Sequence, residues 1–233
     1  MKEQEIAGRR LVEMARPFLR RTDRRGLATE LSGSWSPQCL VLLLDSGDPE
    51  VVRVALIALG VCGNMTAGPR IAKLLHHNDF EVVSAAEDAL WSLWLRDGGA
   101  DGQEVLSTIS QGINAGQTID ALAILDELIR SQPRYAEAYH QRSQALYLEG
   151  DYRGALRDAR RSLELNPIHF GAMANQAHAL SALGQYGEAL AVYERVLEIH
   201  PFMPGIREAV AELRSGLIAL DAHPAELTIA HGD

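Results

Sequence analysis

The sequence contains few of the residues that mark disulfide-rich, membrane-spanning or metal-binding proteins. Cysteine occurs only twice in 233 residues, at Cys39 and Cys62, and neither belongs to a Cys-x-x-Cys pair. We therefore expect two buried thiols rather than a disulfide or a metal site. The longest apolar runs, residues 39–44 and 54–62, are too short to span a bilayer. Residues 1–5 lack the apolar core of a signal peptide, so a cytoplasmic protein without membrane attachment is predicted.

Lysine is also scarce, and positive charge is concentrated at one end of the chain. The net charge is −9, but residues 1–25 carry eight Lys/Arg against four Asp/Glu, which leaves −13 on the remainder. An acidic body argues against general nucleic-acid binding. Residues 3–20 are predicted to form an amphipathic helix with arginines on its polar faces. Two interpretations of that helix stay open: a cap on the first layer of the fold, or a docking surface for an anionic partner or for the protein's own acidic body.

No catalytic arrangement of residues is recognisable in the sequence. The glycine-rich stretch 60–68 matches neither a dinucleotide-binding fingerprint nor a phosphate-binding loop, and its place between apolar segments predicts a helix end and a turn. His76, His77 and Asp79 are close in sequence, but adjacent histidines point in different directions, and a turn before a helix explains them. A serine or cysteine nucleophile with a supporting motif is absent as well. We predict no enzymatic activity, no cofactor and no metal.

The clearest feature that is present is a repeat of 34 residues. Eleven positions between residues 136 and 203 coincide when the chain is shifted by this length. The coinciding pairs include Gly150/Gly184, Ala155/Ala189 and Pro167/Pro201. A fixed period of this length indicates a helical solenoid. The glycine ends a first helix, the alanine permits a close helix contact, and the proline stops a second helix.

These residues resemble the tetratricopeptide repeat (TPR) family, in which each repeat is a pair of helices. A weaker copy precedes them, with Gly116 and Pro133 at the corresponding positions and with Gly112 where the better copies have leucine. The resemblance predicts three repeats, a capping helix and a disordered tail. Their predicted bounds are 102–135, 136–169 and 170–203 for the repeats, 204–220 for the capping helix and 221–233 for the tail.

A different repeat, of 31 residues, occupies the N-terminal part. Residues 48–52 (Asp-Pro-Glu-Val-Val) return as residues 79–83 (Asp-Phe-Glu-Val-Val). Each unit is predicted to be a short apolar helix, a turn ending in an aspartate N-cap, and a longer apolar helix. This pattern resembles HEAT repeats, particularly the short form seen in phycobilin lyases. The predicted fold is therefore an all-α, two-part solenoid: a HEAT-like domain at 1–96, a glycine-rich linker at 97–101 that permits a hinge, and a TPR domain at 102–220.

Trp91 and Trp94 lie one turn apart on the last helix predicted for the N-terminal part. An end helix must cover its apolar face, so we expect both side chains to be buried against the first helix of the TPR domain. An exposed binding hot spot is the alternative.

In TPR proteins the first helix of each repeat lines a concave surface, where extended peptides commonly bind. The residues that the resemblance places on that surface are polar: Ser110 and Asn114 in the first repeat, His140, Gln144 and Tyr147 in the second, and Asn175 and His178 in the third. Such groups can hydrogen-bond a peptide backbone without requiring charge. Arg142 is the only basic residue in these first helices, so recognition of a C-terminal carboxylate is not predicted.

The function predicted from these features is non-catalytic: a scaffold or adaptor whose TPR groove binds an extended segment of another protein. Neither nucleic acid nor membrane is an expected partner, and homo-oligomerisation is left open without a specific indication. The alternatives are an accessory or lyase-like enzyme of the HEAT type, and a self-assembling structural module. A further alternative is that the polar residues of the groove only solvate its surface.

Overall fold

A computed structural model describes the backbone of residues 2–114 and 118–222, and the side chains of residues 3–109 and 118–216. These residues form thirteen α-helices and no strand, so the all-α prediction is confirmed for this part of the chain. The N-terminal helices are α1 (Lys2–Arg20), α2 (Arg24–Ser34), α3 (Pro37–Leu43), α4 (Pro49–Cys62), α5 (Gly68–Ala72) and α6 (Phe80–Arg96). They are followed by α7 (Gly99–Asn114), α8 (Thr118–Ser131), α9 (Ala136–Leu148), α10 (Tyr152–Leu165), α11 (Phe170–Ala182), α12 (Tyr186–Ile199) and α13 (Ile206–Ala222).

Aspartate side chains begin three of the N-terminal helices, two of them the helices for which an aspartate N-cap was predicted. The Asp23 carboxylate accepts the N–H of Gly26 at 2.8 Å at the start of α2. Asp48 and Asp79 each accept the N–H two residues further on, at 3.0 and 2.9 Å, at the starts of α4 and α6. These bonds satisfy donors that have no partner inside the helix, and they place both long helices at equivalent points of the 31-residue repeat.

The segment between α4 and α6 is less regular than the single short helix that was predicted. Two short 3₁₀ turns, Met65–Ala67 and Lys73–His76, flank the one-turn helix α5. Gly60 lies inside α4, and Gly63 is the residue that ends this helix. A β-carbon at Gly60 would lie 3.3 Å from the Cα of Ala89. Gly60 therefore allows α4 and α6 to approach closely, a role that the sequence did not indicate.

The 34-residue repeats form helix pairs with the predicted chemistry. Gly150 and Gly184 follow α9 and α11 with φ angles of +83° and +76°, a left-handed conformation that favours glycine at a helix end. Ala155 is completely buried where α10 meets α9. The hydroxyl of Ser143 on α9 donates to the carbonyl of Ala155 at 2.8 Å. A hydrogen bond from a side chain to a backbone of the opposing helix shows how closely the two helices approach.

Replacing Ala155 with leucine is expected to lower the free energy of unfolding by about 1–3 kcal/mol, because the added carbons have no space between α9 and α10. Chemical denaturation measures the change. Ala191→Leu is the matched control, since Ala191 is exposed on α12 and its substitution should change stability by less than about 0.5 kcal/mol. Equal stability of the two variants would contradict the assigned helix contact.

The joint between the two halves of the chain differs from the predicted linker. Because α7 begins at Gly99, only Asp97 and Gly98 separate it from α6. The ring of Tyr135 packs across Gly98, where any β-carbon would overlap it. The Tyr135 hydroxyl donates to the carbonyl of Leu95 at 2.6 Å. A buried aromatic ring therefore clamps the joint, in place of the hinge expected from its glycine content.

The remaining predictions about the ends and the thiols have mixed outcomes. The capping helix α13 buries Ile206 and Val210 and extends two residues beyond its predicted end. Residues 223–233 of the predicted tail lie outside the described part of the chain. Cys39 is exposed and Cys62 is half-buried, so the expectation of two buried thiols is wrong for Cys39. None of the described helices combines the length and apolar character needed to cross a membrane.

Candidate functional site

The N-terminal half of the chain packs against the 34-residue repeats through the C-terminal part of α6. Trp94 is 1% exposed, and its ring stacks on that of His169 with 4.1 Å between centroids. Trp91 contacts the ring of Phe170 edge-on at 5.2 Å and approaches His140 at 5.6 Å. Trp94 is thus buried, as predicted, and Trp91 is half-buried. Their aromatic partners belong to the second and third repeats, whereas the first repeat was expected to supply them.

Polar contacts extend the same interface away from the tryptophans. His76 Nε2 lies 2.9 Å from the carbonyl oxygen of Glu198. His200 Nε2 lies 3.2 Å from the carboxylate of Glu87 on α6. The approach of His200 holds the pKa of the Glu87 carboxyl below its usual value, although partial burial acts in the opposite direction. The pair formed by His76 and His77 therefore has structural uses: His76 reaches the third repeat, and His77 Nδ1 accepts the N–H of Asp79 at 3.0 Å.

A buried carboxylate lies beneath Trp91 and Trp94. Glu137, at the start of α9, is 1% exposed. His169 Nε2 lies 2.8 Å from its Oε2, while His140 Nδ1 and Gln141 Nε2 lie 3.1 and 2.8 Å from its Oε1. Three donors thus surround one carboxylate, which is the condition under which a charge can stay buried. We call Glu137, His140 and His169 the Glu137 cluster.

Electrostatics within the Glu137 cluster favour an ionised carboxylate and a neutral His169. Burial alone would raise the pKa of Glu137, but the charge of His140 and the hydrogen bonds from both histidines outweigh it, so the pKa lies well below its usual value. Burial lowers the pKa of His169, although the hydrogen bond to Glu137 acts in the opposite direction. The imidazole of His169 is therefore uncharged at neutral pH.

The Glu137 cluster has the composition of a metal site, since its donor atoms lie within 4.8 Å of one another. Its hydrogen bonds use those atoms differently. The N–H of Ala172 donates to His169 Nδ1 at 3.2 Å, so the proton of the neutral ring is on Nε2. That nitrogen donates to Glu137, and a neutral imidazole could bind a metal ion through Nε2 only with its proton on Nδ1, the atom that accepts the Ala172 N–H. The arrangement of donors and acceptors therefore fits a hydrogen-bonded network and does not fit a metal centre.

The N-terminal end of the predicted groove is occupied by the protein itself. His140 is 6% exposed and belongs to the Glu137 cluster, so it does not lie on an open concave surface as predicted. Opposite it on α11 lies Gly171, where a β-carbon would be 2.6 Å from Cη2 of Trp91 and 3.0 Å from His140 Nε2. Trp91 therefore fills the space between α9 and α11 at this end, and a glycine on α11 makes room for it.

Four of the predicted groove residues remain half-buried on α9 and α11: Gln144, Tyr147, Asn175 and His178. The structure brings Tyr147 on α9 next to His178 on α11. The rings of Tyr147 and His178 are 6.0 Å apart, and Asn175 Nδ2 donates to the carbonyl of His140 at 3.4 Å. His178 also contacts Tyr193 at 5.5 Å. Burial lowers the pKa of His178, so its ring is neutral at neutral pH. The side chains of Ser110 and Asn114 lie outside the described part of the structure.

Comparison with known proteins identifies the repeats. Residues 114–196 match the family model described as anaphase-promoting complex, cyclosome, subunit 3. The chain is 29% identical over 130 residues to a TPR repeat-containing protein of Rhizobium etli, covering 56% of this chain and 64% of that protein. It is 29% identical over 112 residues to superkiller complex protein 3 of Mus musculus, covering 46% of this chain and 7% of that protein. The C-terminal repeats are similar to those of TPR proteins.

These similarities support the TPR prediction, and the HEAT resemblance of the N-terminal part stays a prediction. The chain spans less than two thirds of the length of either relative. Among solved structures it resembles the first TPR of Spaghetti (RPAP3) bound to the HSP90 peptide SRMEEVD, with a TM-score of 0.47 and 20% identity. The match covers 49% of this chain and 90% of that one. A score of this size does not establish a common arrangement of the helices.

The sequence analysis did not identify two residues of the Glu137 cluster, Glu137 and His169. Glu137 and His140 are three residues apart, and this spacing places them on one helix face. His169, however, comes from the loop before α11, 32 residues after Glu137. The spacing of Glu137 and His140 near the start of α9 could therefore have indicated their contact. The contact of His169 with Glu137 becomes apparent only when adjacent repeats are stacked.

Proposed function

We propose that this protein is a non-catalytic interaction scaffold whose TPR groove binds an extended segment of a partner protein. The observation that supports this most is the half-buried row formed by Gln144, Tyr147, Asn175 and His178 across α9 and α11. These side chains offer amide, hydroxyl and neutral imidazole groups beside aromatic surface. Together they can hydrogen-bond the backbone of an extended peptide while an apolar side chain packs on Tyr147.

The proposed binding surface covers only part of the groove. Trp91 takes up the space at the N-terminal ends of α9 and α11. Tyr147 and His178 lie towards the opposite ends of these helices. A bound segment would therefore lie towards the C-terminal ends of α9 and α11, and Trp91 would form the end wall of the site.

The chemistry of the row favours an uncharged stretch of the partner. The four side chains carry no positive charge, and the only arginine of the first helices, Arg142, is already engaged by the carboxylates of Asp158 and Asp126 at 2.6 and 2.7 Å. Arg142 therefore connects α9 to α10 and α8 and is not offered to a ligand. In the same proposal, residues 1–96 are HEAT-like repeats that support the TPR domain at 102–220, and the protein acts in the cytoplasm.

The proposal is tested by affinity capture from a lysate of the source organism, with the full chain as bait. The variant Gln144→Ala/Asn175→Ala/His178→Ala removes three groups of the row. The control Arg160→Ala/Glu164→Ala/Gln185→Ala changes three exposed residues away from it and keeps the net charge. We expect the wild type and the control to capture the same protein partner. The row variant should capture about tenfold less of it, which corresponds to a loss of about 1.4 kcal/mol in binding free energy.

Other outcomes would contradict the proposal. Equal capture by a folded row variant would place the binding site elsewhere on the chain. Co-purification of a small molecule or metal without any protein partner would favour an accessory enzyme. A mass that rises with concentration in light scattering, without a partner, would favour a self-assembling module.

A further inference from the structure

A cavity of about 310 Å³ lies between α1 and α4, on the N-terminal half of the molecule and apart from the TPR groove. Arg16 and Arg20 on α1 are four residues apart, so they lie on one face of that helix. Arg53 on α4 lines the cavity together with them. Three guanidinium groups therefore line one small cavity in a chain whose overall charge is negative.

The three arginines have unused hydrogen-bonding capacity. Arg16 lies 3.8 Å from the carboxylate of Glu50, and Arg53 lies 3.7 Å from that of Glu81. Both separations exceed a hydrogen bond. Among the described residues, no carboxylate lies within 4.0 Å of Arg20. Glu50 and Glu81 of the acidic body therefore lie at ion-pair distance from Arg16 and Arg53 without hydrogen-bonding to them.

The floor of the cavity is apolar. Val12 and Val54 are buried within it, and Leu19 is half-buried at its side. Val12 and Leu19 face the cavity from α1 and Val54 from α4, so the floor belongs to the helix packing and is preformed. An aliphatic side chain could rest on this floor while flanking carboxylates reach the arginines, which is the combination of charged rim and apolar centre found in specific binding sites.

We propose that this cavity binds an acidic peptide segment of a partner protein, through Arg16, Arg20 and Arg53. Charge complementarity identifies the occupant: three arginines and one glutamate line the cavity, and two of the arginines, Arg16 and Arg20, belong to residues 1–25, which have a net charge of +4. Guanidinium groups bind carboxylates through paired, charge-assisted hydrogen bonds. The apolar floor selects a peptide with an aliphatic residue between its acidic ones.

A nucleic acid fits this site less well than an acidic peptide. Binding to a nucleic-acid backbone needs a basic surface that follows many phosphates. Here eight of the 22 Lys/Arg residues lie within residues 1–25, while the remainder of the chain carries −13. A long polyanion would meet that negative charge outside the cavity, whereas a short acidic segment would not.

The test measures fluorescence anisotropy with the full chain and a fluorescein-labelled peptide, Asp-Glu-Leu-Asp-Glu. The neutral peptide Asn-Gln-Leu-Asn-Gln and a short oligothymidylate are the comparison probes. The variant Arg16→Gln/Arg20→Gln/Arg53→Gln removes the three cavity charges. Arg9→Gln/Arg21→Gln/Arg25→Gln removes the same charge from exposed positions that do not line the cavity. Circular-dichroism melts establish that each variant is folded.

We expect the acidic peptide to bind the wild type and the control, with an affinity that falls as salt is added. The cavity variant should bind the peptide at least about tenfold more weakly than the wild type. The row variant Gln144→Ala/Asn175→Ala/His178→Ala should bind it with the affinity of the wild type. The inference is therefore independent of the proposed TPR ligand. The proposal would be overturned if the cavity and control variants bound the acidic peptide with equal affinity. It would also be overturned if the wild type bound the neutral peptide as tightly as the acidic one, or bound the oligothymidylate more tightly through the same arginines.

Discussion

Replacing Trp94 with alanine is expected to lower the free energy of unfolding by about 3–5 kcal/mol, as for other large buried aromatic side chains. Trp94 belongs to the hydrophobic cluster that joins the N-terminal helices to the second and third TPR repeats. Its ring stacks on His169 and contacts Phe170 at 4.9 Å. Alanine would leave a cavity between the two halves, and the rings around it cannot close without moving both of them.

Urea denaturation followed by circular dichroism measures this loss. Phe80→Ala is the matched control on the same helix, because Phe80 is 73% exposed at the start of α6. Its substitution should change stability by less than about 0.5 kcal/mol. If Trp94→Ala were no less stable than Phe80→Ala, the packing of α6 on the TPR repeats would be wrong.

Replacing Glu137 with alanine is expected to cost about 3–5 kcal/mol of stability, because it breaks a buried, hydrogen-bonded charge network. The substitution leaves the donors of His140, Gln141 and His169 without their acceptor in a site closed to water. Each unpaired buried donor has a desolvation penalty of about 1–3 kcal/mol. The loss should therefore exceed that of an exposed ion pair several-fold.

Glu127→Ala is the control for this prediction, since Glu127 pairs with Arg130 on the exposed side of α8 and its loss should cost less than about 1 kcal/mol. The lowered pKa of Glu137 fixes the expected pH dependence. Stability from a carboxyl with a lowered pKa is fully present above the unfolded pKa and is lost as the pH falls through the folded one. The difference in unfolding free energy between wild type and Glu137→Ala should therefore persist from about pH 8 down to about pH 5. A gap that closes within this range would contradict an ionised Glu137.

The sequence predicted the helices well because residues at or next to each helix end determine where it begins and ends. Asp48 and Asp79 cap the helices that follow them, and Gly150 and Gly184 end theirs with positive φ angles. The linker was predicted poorly because glycine content reports the freedom of an isolated chain. Tyr135 comes from the other end of the first repeat and removes that freedom by packing over Gly98.

In the candidate groove, too, the sequence predicted the local features and missed the long-range contacts. Repeat spacing placed Gln144, Tyr147, Asn175 and His178 on two neighbouring helices, and the structure brings Tyr147 and His178 together. His140 obeys the same spacing, yet it is buried, because Trp91, Glu137 and His169 pack around it at that end of the groove. The period of a repeat predicts which face of the stack a residue is on. It does not predict what covers that face.

The sequence by itself determined the all-α class, the 34-residue TPR period, the helix caps and the candidate polar face, since each depends on residues within one repeat or its neighbour. Only the tertiary structure decided how the two halves meet. The contacts of Trp94 with His169, of Glu87 with His200 and of His76 with Glu198 join residues far apart in the chain. Such contacts arise from burying two preformed surfaces against each other, and no periodicity in either half specifies which surfaces those are.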